Sequence, residues 1–314
     1  MFDRRRFGQF LIGSTIALWL HGCTGQGQQA ANQTPQVVST STILTDLATT
    51  IAGDAVQITG ILKPGADPHT YEPVPADTAA MERANLILYN GYDLEPGLIR
   101  LMKAAGANAK QLAVGEVVPP LQLEEKGQKV PDPHVWGNVQ NTAKMAAAIR
   151  DALIEIAPND REKLTQNADR LIVDLNRLDG WIKQQIQTIP AQNRRLVTTH
   201  DAFQYYAQAY GLSIAGTLIG ISTEEQPSAQ TVQRLVQSIR ATKVPAIFAE
   251  TTINPALIQT VAQEAGVKLA PQQLYSDSIG APGSPGETYI KMMAANTTSI
   301  VEALGGKITP FAAK

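Results

Sequence analysis

The sequence predicts an α/β protein of two similar lobes, each a parallel sheet flanked by helices, joined by one long connecting helix with a ligand cleft between the lobes. Three observations carry this. Short apolar, β-branched runs alternate with helical patterns from Val37 onward, which is the grammar of parallel βαβ units. The segment Asp160–Thr188 holds one apolar stripe at helical spacing for its whole length. After it, the pattern of the first half restarts: VVSTS-ILTDLATTIAG-DAVQITGIL and RLVTTH-DAFQYYAQAYG-LSIAGTLIG both read strand, Thr-rich turn, helix, Gly, strand.

Taken in order, Val37–Ser41 reads as a strand and Ile43–Ala52 as a helix, followed by strand Val56–Leu62. Helix Asp77–Arg83, strand Leu86–Tyr89, helix Pro96–Ala105, strand Gln111–Val114 and helix Gln140–Ile156 come next, the last stopped by Pro158. In the linking segment Leu164, Ala168, Leu171, Ile172, Leu175, Leu178, Ile182 and Ile186 recur at steps of three, four and seven. Asn159 with Glu162 offers a capping pair there, and Pro190 ends the run. At about 1.5 Å per residue, this helix spans roughly 43 Å, enough for a strut between two lobes. The second half contains strand Arg195–Thr199, helix Ala202–Tyr210 ended by Gly211, strand Ser213–Ile219, helix Thr231–Thr242 and strand Ala246–Glu250. Helix Pro255–Gly266, the short Val267–Ala270 and helix Thr288–Ala303 complete it. The expected division is therefore 37–158 for the first lobe, 159–189 for the linking helix and 190–314 for the second lobe.

The first 36 residues read as an address and a tether. Arg4, Arg5 and Arg6 precede an apolar run, Phe7 to Leu20, too short for a membrane span, so 1–22 is expected to be an export signal. Arg4-Arg5-Arg6-Phe7 resembles a twin-arginine signal, and Gly22-Cys23 at the end of the run resembles the lipobox of bacterial lipoproteins. Cys23 is the lone cysteine of the chain, which excludes a disulfide framework and Cys-rich zinc modules. Lipid attachment at Cys23 is expected, with the Gly-, Gln- and Asn-rich stretch up to residue 36 as a flexible tether. The expected exported form, from Cys23 on, carries a net charge of −4, so nucleic acid is not an expected partner. A monomer is expected, located outside the cytoplasmic membrane.

Beyond the signal the chain holds three histidines, His69, His134 and His200. Each falls where a strand gives way to a helix, the end of an α/β sheet where ligands collect. Pro68 and Pro133 stiffen the backbone directly before His69 and His134. One such histidine alone would be unremarked core or surface; all three together favour a divalent metal site. A fourth donor should be a carboxylate, to offset the charge of the ion. Asp277 and Glu250 are the candidates, and the residues by themselves rank them only weakly. Tyr205, Tyr206 and Tyr210 stand at helical spacing and are expected to be lobe core.

Pro68-His69-Thr70-Tyr71-Glu72-Pro73, Asp132-Pro133-His134-x-Trp136, Thr199-His200-Asp201-Ala202-Phe203 and Tyr275-x-Asp277-Ser278, in this order, resemble the metal-binding solute-binding proteins of zinc and manganese ABC transporters. The resemblance runs from about Val37 to Gly306. It implies the same two-lobed architecture and assigns His69, His134, His200 and Asp277 as ligands of one divalent ion, Mn2+ or Zn2+, with Glu250 supporting the site. It further implies that the ion is cargo, that the protein is not an enzyme, and that its partners are a membrane permease and an ATPase. Two departures bear on the metal. The stretch Pro119–Val130 is short and lacks the His-rich loop frequent in zinc members, while His200 stands where manganese members often carry Glu. Three imidazoles and one carboxylate suit tetrahedral zinc; a bidentate Asp277 would admit manganese. Two other readings stay open at this point. One is a secreted zinc hydrolase using three His ligands, although the chain has no H-E-x-x-H, G-x-S-x-G or P-loop. The other is a surface adhesin stabilised by the metal.

Overall fold

Strands β1 (Gln36–Ser39), β2 (Gln57–Gly60), β3 (Leu86–Tyr89) and β4 (Lys110–Ala113) form a parallel sheet in the order β2-β1-β3-β4. The structure is a computed structural model that describes residues 34–312 apart from 107 and 126. The expected signal segment, Cys23 and the tether up to residue 33 lie outside the described residues. The crossovers of this sheet contain helices α1 (Thr42–Ala52), α2 (Pro75–Arg83) and α3 (Pro96–Ala105). Ser41 caps α1 by accepting the Leu44 N–H at 3.2 Å. Apolar residues fill both faces of the sheet, as parallel strands require. Val38, Ile87, Met81, Leu98 and Met102 pack on the α2/α3 side, and Val37, Leu86, Leu88, Leu44 and Leu47 on the other.

An antiparallel hairpin, β5 (Gln122–Glu125) and β6 (Gln128–Pro131), follows where the sequence reading saw only a short loop. Its strands carry one apolar cross-strand pair, Leu123 with Val130, too few apolar residues to announce an alternation, and the turn depends on Gly127 at φ 78°. Helix α4 (Val139–Ile156) leads to the 27-residue α5 (Arg161–Gln187), about 40 Å long at a rise of about 1.5 Å. The expected capping pair of Asn159 and Glu162 is not formed. Pro158–Asp160 makes a 3-10 turn instead, and Asp160 occupies the cap position without a side-chain bond.

Beyond α5 come β7 (Arg195–Thr198), α6 (Gln204–Tyr210), β8 (Ser213–Thr217), α7 (Ala229–Thr242), β9 (Ala246–Ile247), α8 (Ala256–Ala265), β10 (Lys268–Leu269) and α9 (Tyr289–Ala303). Gly211 ends α6 in the left-handed conformation at φ 79°. β7 pairs with β8, and β9 with β10, all parallel. The Phe248 N–H donates to the Val197 carbonyl at 2.9 Å, which lays the β9 strand beside β7. The order is thus β8-β7-β9-β10, the same crossover pattern as in the first sheet. The strand read as Ala246–Glu250 is regular only to Ile247; Glu250 rejoins the pairing as an isolated bridge to Leu274.

The largest apolar cluster belongs to neither sheet alone. It joins Leu44 and Leu47 of α1, Met145 and Ile149 of α4, Leu171, Leu175, Leu178 and Ile182 of α5, Tyr206 and Tyr210 of α6, and Met292 and Ile300 of α9. The expected stripe of the linking helix is therefore the spine of a helix layer shared by both lobes. A second cluster, with Val197, Leu235, Ile239, Ile247, Ile258 and Val261, lies between β7, β9, α7 and α8. The chain after α9 straps back along α5. The Trp181 indole donates to the Thr309 carbonyl (2.8 Å) and packs on Phe311, and Arg177 donates to the Ala312 carbonyl (3.0 Å).

Candidate metal centre

The carboxyl ends of the two sheets face one another, and four loops meet there. His69 follows β2, His134 follows β6 at the start of a 3-10 turn into α4, His200 follows β7, and Asp277 follows the bridge at Leu274. Each offers a donor atom, and these atoms all lie within 4.8 Å of one another. All four side chains are buried, His134 and His200 completely.

Their nitrogens and oxygens face a common point. The Nε2 atoms of His69 and His134 are 3.3 Å apart. Asp277 Oδ1 is 3.4 Å from His134 Nε2, and Oδ2 is 3.2 Å from His200 Nε2. The last contact is close without hydrogen-bond alignment, and both His200 Nε2 and Asp277 Oδ1 are buried with no hydrogen-bond partner. Buried polar atoms left unpartnered are costly, about 1–3 kcal/mol each, unless something else satisfies them. A divalent cation at that point would do so, and imidazole nitrogen with carboxylate oxygen is a donor set that zinc and manganese both accept.

Two of the histidines are oriented from behind by carboxylates. Asp132 Oδ1 accepts both the backbone N–H (3.0 Å) and the Nδ1–H (2.7 Å) of His134. Glu250 Oε1 accepts the backbone N–H of His200 (2.9 Å), and its Oε2 takes the Nδ1–H. With the proton held on Nδ1, the Nε2 lone pair is free for a metal. Asp67 makes the same backbone bond to His69 (2.9 Å), but its second oxygen accepts the Thr223 hydroxyl of the other lobe at 2.6 Å, not the His69 ring. The identical Asp-Pro-His sequences at 67–69 and 132–134 thus serve different ends: one orients a ring, the other ties the lobes.

The charges follow from this arrangement. Burial pushes the His69 imidazole down to about 3. Burial also opposes charge on His134, but the Asp132 hydrogen bond and the charges of Asp132 and Asp277 outweigh it and hold the ring up to about 9. Against its own burial, His200 is held well above its ordinary value by Glu250 and Asp277. Asp277, although buried, is kept well below the usual carboxylate range by His200 and His134.

Of the residues singled out in the sequence, the structure brings His69, His134, His200 and Asp277 together and places Glu250 behind His200. The tyrosines are buried, as lobe core. They also carry polar bonds: Tyr205 OH donates to the Asp132 carbonyl (3.2 Å), and Tyr210 OH to Asp179 (3.2 Å). Sequence reasoning assigned no role to Asp132, Asp67 or Asn90. The repeated Asp two places before a His was the available signal for the first two. Asn90 had none: its amide donates to the Pro133 carbonyl at 2.9 Å, bracing the His134 loop from a strained turn in which Tyr92 and Asp93 have φ of 51° and 59°. In the same turn Glu95, fully buried, accepts from Thr40 (2.7 Å) and the Asn90 N–H (2.6 Å), and burial pushes its carboxyl up to about 7.

The family described as the periplasmic zinc-uptake complex component A (ZnuA) matches residues 37–303. A manganese-binding lipoprotein, MntA, of Halalkalibacterium halodurans is 35% identical over 294 residues, covering 92% of this chain and 95% of its own. The manganese ABC transporter substrate-binding lipoprotein PsaA of Streptococcus mitis is 33% identical over 302 residues, covering 94% and 97%. Among solved structures, the periplasmic zinc-binding protein TroA of Treponema pallidum superposes with a TM-score of 0.82 at 33% identity, covering 87% of this chain and 99% of its own.

Proposed function

The chain belongs to the ZnuA family of periplasmic zinc-uptake components, and from that premise we propose that it captures one divalent transition metal, Mn2+ or Zn2+, outside the cytoplasmic membrane and delivers it to an ABC-type importer. Its relatives are solute-binding proteins rather than enzymes, so the hydrolase and adhesin readings are set aside. The observation that carries the proposal is the convergence of His69, His134, His200 and Asp277 in one buried cluster. On this reading those four are the ligands, while Glu250 and Asp132 fix the tautomers of His200 and His134. The protein does no chemistry on its cargo: it strips water from the ion and shields it.

The partners are the permease and ATPase of the importer, to which the loaded protein hands the ion. Because relatives are lipoproteins, we assign Cys23 as the lipid attachment site, residues 1–22 as the signal and the stretch to residue 36 as the tether of a monomer. Among the described residues no helix is long and apolar enough to cross a membrane. The lobes are 37–158 and 190–314, with 159–189 between them. The apolar helix layer common to both favours small lobe movements on loading over a wide hinge.

The test is a competition titration of metal-stripped protein with zinc and manganese, with His200→Glu alongside. Binding of manganese at one equivalent supports a manganese-capable importer component. Tight zinc binding with manganese undetectable assigns zinc acquisition. Failure to bind either metal overturns the proposal.

A further inference from the structure

We infer that Trp136 is a positioning residue that sets how Asp277 presents its carboxylate to the metal, and through it the preference between manganese and zinc. The inference rests on the metal-capture reading above.

Trp136 lies two residues after His134, and its ring meets the His134 imidazole edge to face with centroids 5.4 Å apart. It is nearly buried, at 4% exposure. Its indole N–H and its carbonyl are both bonded by the other lobe, the carbonyl also accepting the Thr142 hydroxyl of α4 at 3.4 Å. The indole N–H donates to the Ser276 carbonyl at 3.0 Å, and its own carbonyl accepts the Tyr289 hydroxyl at 2.7 Å. Ser276 immediately precedes Asp277, so the indole bond fixes the peptide plane from which the Asp277 side chain departs.

That plane matters because little else restrains the carboxylate. Oδ1 has no hydrogen-bond partner, and Oδ2 accepts only the Ser276 hydroxyl, at 3.3 Å. Yet the group lies across two imidazoles, one oxygen toward His134 and the other toward His200. Both oxygens are thereby offered to the same point. Zinc is satisfied by four donors, three imidazoles and one oxygen. Manganese favours more oxygen donors and a higher coordination number. A carboxylate free to turn one oxygen away would still serve zinc but would deprive manganese of a donor. The indole N–H, by locking the 276–277 peptide, keeps the second oxygen in place.

The experiment measures zinc and manganese affinities by competition titration on the full chain, stripped of metal. Three replacements are compared with the unaltered protein. Benzothienylalanine at Trp136 keeps the ring shape and replaces the N–H by sulfur. Trp136→Phe removes the donor genetically. Tyr289→Phe removes the other interlobe bond of Trp136 without touching Ser276. Thermal unfolding of the metal-free proteins identifies folded variants. We expect the manganese-to-zinc affinity ratio to fall about tenfold in both Trp136 replacements, the loss associated with one buried hydrogen bond. In Tyr289→Phe both affinities should move together, leaving the ratio unchanged. A ratio within about threefold of the unaltered chain in the folded benzothienylalanine protein overturns the inference. So does an equal change of ratio in Tyr289→Phe. If the unaltered chain binds neither metal, it is the metal-capture reading that fails, and the two failures are told apart.

Discussion

Glu250→Gln tests the reasoning about tautomers most directly. In the structure Glu250 faces two donors of His200, the backbone N–H at 2.9 Å and the ring Nδ1–H, and both residues are completely buried. A carboxylate accepts from both. A carboxamide of the same shape has one oxygen, so one of the two donors must meet an NH2 group. If the oxygen keeps the backbone N–H, the amide donates to Nδ1 and drives the imidazole proton onto Nε2, the atom that faces Asp277. If it turns, a buried backbone N–H is left against another donor. Either conflict is worth about 1–3 kcal/mol, which corresponds to a loss of metal affinity of about 10- to 100-fold, the usual effect of losing such a supporting group. The variant also loses the negative charge that holds a proton on His200, so proton competition weakens at the same time. The two effects oppose each other near neutral pH and separate as pH rises. The deficit relative to the unaltered protein should therefore be larger at pH 9 than at pH 7. The assay is chelator competition with zinc across that interval, with circular dichroism to establish folding. A folded variant that binds within about threefold of the unaltered protein at both pH values would refute the orienting role.

Other outcomes follow from the same geometry. Loading at pH 7 should release about two protons, from His134, held up to about 9, and His200, held well above its ordinary value by Glu250 and Asp277, but none from His69 at about 3. Affinity should accordingly rise from pH 7 toward 9, and calorimetry in buffers of different ionisation enthalpy that shows no proton release would contradict this. Glu95, up at about 7 against an ordinary 4.5, binds its proton more tightly folded than unfolded. Its contribution, about 3 kcal/mol, is present below pH 4.5 and lost as pH rises through 7. Glu95→Gln should flatten that part of the stability profile in denaturant titrations, and an unchanged profile would count against it. Thr223→Val removes the hydroxyl that Asp67 accepts across the lobes at 2.6 Å. Stopped-flow chelation should show metal leaving several-fold faster, consistent with a charge-assisted bond of about 1–2 kcal/mol; an unchanged rate would show that the bond does not hold the lobes.

Much of the fold was legible because the signals were periodic or repeated. The stripe from Leu164 to Ile186 needed burial along one side, and the structure buries it; the second run of strand, helix, Gly, strand built a second sheet with the strand order of the first. The hairpin at 122–131 was hidden because its strands offer a single apolar cross-strand pair, Leu123 with Val130, too little to make an alternating pattern. The cap of α5 was misread for a local reason: Pro158 starts a 3-10 turn that moves the helix start past Asn159. At the metal centre, histidine scarcity and placement pointed to the loops, while the residues by themselves ranked Asp277 and Glu250 only weakly and the family resemblance chose Asp277. Both are buried carboxylates beside His200, but Glu250 takes its Nδ1 and backbone N–H from behind, whereas Asp277 faces its Nε2 and that of His134. Asp67 and Asp132 make the same point more strongly. Their local sequence is identical, and what separates them is that Thr223 comes within reach of only one.

The ownership of the four donors has a mechanical meaning. His69 and His134 belong to one half of the chain, His200 and Asp277 to the other, while a shared apolar layer that includes Leu175, Leu178, Tyr206 and Met292 joins the halves and reaches Trp136 and Phe203 beside the ligands. The molecule is a clamp whose jaws meet over an apolar bed and can be riveted by an ion buried between them. Neither jaw can grip the rivet alone, and inserting it removes the remaining freedom to shear. A full protein would then differ from an empty one in stiffness more than in outline, and a receptor could sort the two by how firmly the jaws resist being pulled apart.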